Sequence, residues 1–98
     1  MQKESEFKTK LYKEIRDRFP GTEVVINDPT YIQGFPDVTV YFPNGQYMLL
    51  ECKRNSKASH RPNQEYYVNE SDLKNNATFI FPENKEEIME ELERRYNV

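Results

Sequence analysis

Apolar positions along this chain follow two different periods. In residues 3–19, Phe7, Leu11, Ile15 and Phe19 recur four apart with Tyr12 beside them, the spacing of one buried stripe on a helix. Pro20-Gly21 follows and predicts its end. The pattern then becomes strand-like. Residues 23–27 (EVVIN) predict a short strand, and residues 28–34, with Pro29 and Gly34, a loop. Residues 37–42 and 46–52 are two β-rich runs flanking Pro43-Asn44-Gly45, and Asn-Gly between such runs predicts a hairpin. Residues 56–61 form a polar loop. Pro62 suits a first helical turn, with residues 63–73 as the helix. Residues 77–81 (ATFIF) predict a strand, and residues 83–96 a closing helix with Ile88, Met89 and Leu92 as its buried stripe. The order α-β-β-β-α-β-α predicts an α/β fold, a mixed sheet with helices packed on it.

Size limits what this pattern can bury. Ninety-eight residues make one domain, and 36% apolar against 32% charged residues leaves a small core, enlarged by seven Tyr and six Phe. A domain of this size gains from pairing into a homodimer, and Ile88 or Tyr96 could serve such a seam. Cys52 is the single cysteine, which excludes an internal disulfide and a cysteine-based zinc cluster. No stretch approaches transmembrane length and no signal-like N-terminus is present, so the expectation is an intracellular, cytoplasmic chain without a membrane partner.

The net charge of −3 argues against a generally basic nucleic-acid coat, but the charge is segregated. Residues 53–61 carry Lys53, Arg54, Lys57, His60 and Arg61 with no acid, whereas residues 83–93 hold six glutamates and one lysine. A basic segment can follow a phosphate backbone despite a negative total.

The hairpin brings candidate chemistry together. If its turn centres on Asn44, Asp37 lies opposite Glu51; if Asn44 and Gly45 both sit in the turn, Asp37 lies one step diagonal to it. Either way the carboxylates are cross-strand neighbours, roughly 4.5–8 Å apart. Alternation puts Glu51 and Lys53 on one face and Cys52 on the other. Two bare carboxylates so close repel, and a divalent cation removes the conflict. Mg²⁺ prefers hard oxygen ligands and suits phosphate substrates, and Lys53 can position a water and balance charge on a phosphate. Taken singly, a Pro-Asp at a strand start and a Glu-x-Lys on a strand face are ordinary surface chemistry. Their placement across one hairpin makes them a candidate site.

Pro36-Asp37 followed by Glu51-Cys52-Lys53 resembles the PD-(D/E)xK nuclease signature. More narrowly, the chain is similar to the small stand-alone VRR-NUC domains of phages and prophages. The matching elements are Glu4-Ser5, Gly34-Phe35-Pro36-Asp37, Glu51-Cys52-Lys53 and Arg61-Pro62-Asn63-Gln64, within residues 3–81. The resemblance implies a restriction-endonuclease-like core with Mg²⁺ or Mn²⁺ held by Asp37, Glu51 and the main-chain carbonyl of Cys52. It also implies Gln64 as a water- or phosphate-orienting residue and a homodimer resembling Holliday-junction resolvases. Members of the group commonly carry arginines just before the Gly-x-Pro-Asp, where this chain has Tyr31-Ile32-Gln33. That departure bears on how a junction would be gripped.

A further acid is expected from the first helix. At ~100° per residue, Glu4 falls near the middle of the Phe7–Leu11–Ile15–Phe19 face, Glu14 toward its edge, and Glu6 on the other side. Glu4 is the metal-side candidate, with Glu14 in reserve; the ordinary alternative is a frayed helix end. Arg54, Lys57, His60 and Arg61 are the candidate DNA-backbone contacts, with a solvated loop as the plain alternative. The expected activity is a metal-dependent, structure-selective DNA endonuclease acting on branched DNA. Alternatives are a nuclease that nicks or cuts flaps, a non-catalytic DNA-binding module retaining the fold, and a structural interaction domain using the acidic last helix.

Overall fold

In the computed structural model, which describes residues 3–28, 30–59 and 62–98, the first apolar stripe forms α1 (Glu4–Arg18) and turns Phe7, Leu11, Tyr12 and Ile15 inward. Phe19 still donates its N–H to the Ile15 carbonyl. The helix stops there because Pro20 lacks an N–H and Gly21 takes a φ of 86°.

Four strands follow, β1 (Glu23–Ile26), β2 (Val38–Tyr41), β3 (Tyr47–Cys52) and β4 (Ala77–Ile80), ordered β1-β2-β3-β4 in one sheet. The β1–β2 and β2–β3 pairs are antiparallel and β3–β4 is parallel. Tight turns suffice for antiparallel neighbours, but a parallel pair needs a crossover, which α2 (Pro62–Asn69) supplies. The chain ends in α3 (Lys85–Tyr96). The observed order is the predicted α-β-β-β-α-β-α, and the sheet is mixed.

Strand alternation separates the two faces. Val38, Val40, Met48, Leu50, Cys52 and Ile80 face α1 and α3 and form the core with Leu11, Ile15, Met89 and Leu92. Ile88 and Tyr96 pack against this core, and the Tyr96 ring lies 5.3 Å from Phe19. Both suggested seam residues therefore contribute to the protein's own interior. On the opposite face the strands present Thr39, Tyr41, Tyr47, Leu49 and Glu51. Here α2 approaches with Tyr67, whose ring stands edge-on to Phe35 at 5.0 Å.

Two helix boundaries differ from expectation. α2 ends at Asn69, short of 73, because Ser71 turns the chain: its N–H donates to the Tyr66 carbonyl, and its hydroxyl accepts from Leu73 N–H. A 3-10 turn, Lys74–Asn76, then leads into β4. α3 begins at Lys85 rather than 83 because Asn84 faces back to β4, accepting from Phe81 N–H and donating to the Phe79 carbonyl. No helix among the described residues is long and apolar enough to cross a membrane.

Candidate active site

Hairpin register decides the heart of the site. Val38 pairs with Leu50, and one step beyond this pair Asp37 faces Glu51. Asp37 is anchored by its main chain, since its carbonyl accepts from Asn27 N–H at 2.8 Å. Its carboxylate is held twice more: Oδ2 accepts the Cys52 N–H at 2.8 Å, and Oδ1 lies 3.3 Å from Lys8 Nζ. Asn27 also donates its side-chain amide to the Pro36 carbonyl and the Thr39 hydroxyl. The end of β1 thus fixes the loop that delivers Asp37.

Glu51 is only 2% exposed. Its Oε1 is buried and has no hydrogen-bond partner among the described residues. Burial, then the adjoining Asp37 carboxyl, push the Glu51 carboxyl up to about 8, against a smaller opposing pull from Lys53. Ionised in such a place, the acid costs stability unless a cation joins it.

Lys53 is buried as well. Its N–H continues the ladder to the Ile80 carbonyl at 2.9 Å, and Nζ donates to Gln64 Oε1 at 2.8 Å. Gln64 sits in the first turn of α2, so three elements (the start of β2, the end of β3 and the start of α2) meet at Asp37, Glu51, Lys53 and Gln64. These are the residues singled out in the sequence.

Cys52 is reached on its other side by α1, with Sγ 3.7 Å from the Tyr12 hydroxyl. Burial pushes the thiol up to about 12, which keeps it protonated and unreactive. Its contribution to the site is main chain.

The two helix acids separate. Glu4 Oε2 lies 3.4 Å from Lys8 Nζ, the same ammonium that meets Asp37. Glu14 instead pairs with Lys85 at 2.8 Å and Arg18 at 4.0 Å, between α1 and α3. Glu4 is therefore the helix acid beside the site. Lys8 and Asn27 were not singled out in the sequence. Lys8 carried a signal, four residues after Glu4 on the same helix flank; Asn27, at a strand end, carried none.

Arg54 and Lys57 lie exposed on the loop after β3. That loop is tied back at Ser56, whose N–H and hydroxyl both donate to Glu83 Oε2, at 3.0 and 2.8 Å. His60 and Arg61 lie outside the described residues.

Comparison with family models, curated proteins and solved structures finds no match.

The donor set suits a hard divalent cation. Asp37 and Glu51 supply carboxylate oxygens, one of them the orphaned Oε1. Among the described residues no three His, Cys, Asp or Glu side chains converge as metal ligands or add a soft ligand set to them: Asp37 and Glu51 form a pair, and Lys8 stands between Asp37 and Glu4.

Proposed function

We propose that this chain is a metal-dependent endonuclease of the PD-(D/E)xK type, similar to stand-alone VRR-NUC domains, that hydrolyses phosphodiester bonds in branched DNA such as Holliday junctions. The observation that carries this reading is the buried, unpartnered Oε1 of Glu51 beside Asp37 and a Lys53–Gln64 pair. A structural surface pair would leave no buried carboxylate oxygen without a partner.

Asp37 and Glu51 would hold Mg²⁺ or Mn²⁺, with the Cys52 carbonyl as a further ligand and Glu4 assisting. When bound, the cation supplies positive charge at the scissile phosphate and makes water a stronger acid. Lys53, oriented by Gln64, hydrogen-bonds the attacking water and balances negative charge building on the phosphate. Gln64, by holding the Lys53 ammonium, keeps that water in line with phosphorus and the leaving oxygen. Arg54 and Lys57, with His60 and Arg61, follow the DNA backbone. A homodimer would set two such sites against two strands, and a phage or prophage origin in a bacterial cytoplasm accords with the resemblance.

The test pairs a labelled four-way junction with the matching linear duplex in Mg²⁺, Mn²⁺ or EDTA, with an Asp37→Ala protein alongside. Symmetric nicks on the junction alone, lost in EDTA and in the variant, are expected. Equal cutting of the duplex would remove the junction preference. Binding without cutting in any cation would make the chain a DNA-binding module.

A further inference from the structure

Lys8 occupies a place that the proposed chemistry does not assign. Its ammonium stands 3.3 Å from Asp37 Oδ1 and 3.4 Å from Glu4 Oε2, so it bridges two of the acids at the mouth of the site. The other Asp37 oxygen is taken by the Cys52 N–H, a main-chain donor fixed by the sheet. A cation approaching Asp37 therefore meets Oδ1, the oxygen Lys8 holds. The Cys52 amide cannot withdraw without breaking the strand. Lys8 can: its side chain is 28% exposed and its ammonium ends a flexible four-carbon stem.

We propose that Lys8 is a built-in counter-ion that a divalent cation must displace, so that this side chain sets the threshold for metal binding. The inference rests on the cation reading of Asp37 and Glu51. Before metal arrives, Lys8 keeps Asp37 and Glu4 from repelling each other across the entrance. When a divalent ion enters, one positive charge leaves and two arrive, and Glu4 is released to turn toward the ion. The cost of removing Lys8 from two carboxylates is subtracted from the cation's affinity. Lys8 thus protects the metal-free fold and makes the site selective for double charge.

The test replaces the ammonium while keeping the stem. Wild-type protein, Lys8→Met and Lys8→Gln are titrated with Mn²⁺ by calorimetry and by water-proton relaxation, and melted in EDTA and in Mn²⁺. Removing one unit charge at a partly exposed site is expected to tighten Mn²⁺ binding by on the order of tenfold. Both variants are expected to melt lower than wild type in EDTA and to gain more from Mn²⁺. Unchanged or weaker Mn²⁺ binding by either folded variant, with wild type still binding, would overturn the Lys8 exchange and leave the cation reading standing. Absence of Mn²⁺ binding in all three proteins would overturn both. If Lys8→Met does not fold, Lys8→Gln retains a polar contact to the acids and decides the matter.

Discussion

A Cβ on Gly34 would lie 2.2 Å from Cβ of Asn63 and 2.8 Å from its carbonyl carbon. The loop that delivers Asp37 is thus pressed against the first turn of α2, one residue before Gln64. Gly34 also has a φ of 80°, which side chains rarely adopt. Both constraints oppose substitution, and the backbone of Asn63 cannot give way as a flexible side chain could. Gly34→Ala is expected to cost about 2–4 kcal/mol, strain and overpacking together. It should also lower cleavage beyond the loss of folded protein, because α2 must move away and carries Gln64 with it. Urea unfolding and cleavage rates normalised to folded protein test this; stability within 0.5 kcal/mol of wild type would show that the contact is loose.

Glu51→Gln separates stability from chemistry. The carboxylate is buried beside another acid, so a neutral amide of the same shape removes a repulsion and a desolvation cost. The variant is expected to melt higher than wild type in EDTA at pH 8, yet to lose Mn²⁺ binding and at least about 100-fold in cleavage. A variant that melts lower in EDTA would show that Glu51 is structurally paired.

The same residue fixes a pH dependence. Its folded pKa, about 8, lies above the ordinary value of 4.5. The folded state then binds the proton more tightly than the unfolded chain, so the stabilising contribution is complete below about pH 4.5 and is lost as pH rises toward 8. In EDTA, stability is expected to decline across this window, and the decline should be absent in Glu51→Gln. Mn²⁺ binding demands the ionised acid, so its affinity should climb over the same window with uptake of metal releasing a proton. Denaturant unfolding at fixed pH steps, together with calorimetry in buffers of differing ionisation heat, measures both. A flat profile in EDTA would mean that the Glu51 proton is not shifted.

Lys53 follows β3 and Gln64 opens α2, and their bond at 2.8 Å ties α2 to the end of the hairpin. Lys53→Met is expected to reduce cleavage by about 100-fold or more and Gln64→Ala by about 10-fold. In the double variant the Gln64 effect should shrink, because a glutamine that acts by orienting Lys53 has nothing left to orient. A double-variant cycle on kcat reads this directly; fully additive losses would assign Gln64 an independent task at the substrate.

The sheet and its helices were legible because the two apolar periods and the Asn44-Gly45 turn agree with one another. The juxtaposition of Asp37, Glu51 and Lys53 was legible for the same reason: hairpin geometry converts sequence spacing into distance. Between the two registers left open, only packing could choose. The observed pairing of Val38 with Leu50 places both, with Cys52, in the core that α1 covers. Glu4 was favoured over Glu14 by helical phase, but the partners that hold them apart, Lys8 and Lys85, depend on how α1 lies against the sheet and α3. That docking angle is not encoded in any local pattern. The ends of α2 and α3 were missed because Ser71 and Asn84 turn their side chains onto nearby main chain, a competition that propensity alone does not resolve.

Glu83 offers a last discrimination, between charge and anchoring. Its Oε2 accepts both the N–H and the hydroxyl of Ser56, which holds the basic loop carrying Arg54 and Lys57 close to the start of α3. Those bonds also draw the Glu83 carboxyl below the usual carboxylate range. If Glu83 acted on DNA only as a negative charge, its removal in any form would tighten binding. Anchoring predicts a split. Glu83→Gln keeps an acceptor for Ser56 and loses the charge, so junction binding should hold or tighten. Glu83→Ala loses both, so the loop is released and binding should weaken by about threefold or more relative to Glu83→Gln, the scale of one or two exposed hydrogen bonds. Arg54→Ala and Lys57→Ala should each flatten the salt dependence of binding by about one unit of slope, whatever the sequence of the DNA. Binding isotherms at stepped salt compare all four, with hydrogen exchange at the Ser56 amide as the direct reading of the anchor. Equal affinity of the two Glu83 variants would leave charge as the whole effect and the loop held by other contacts.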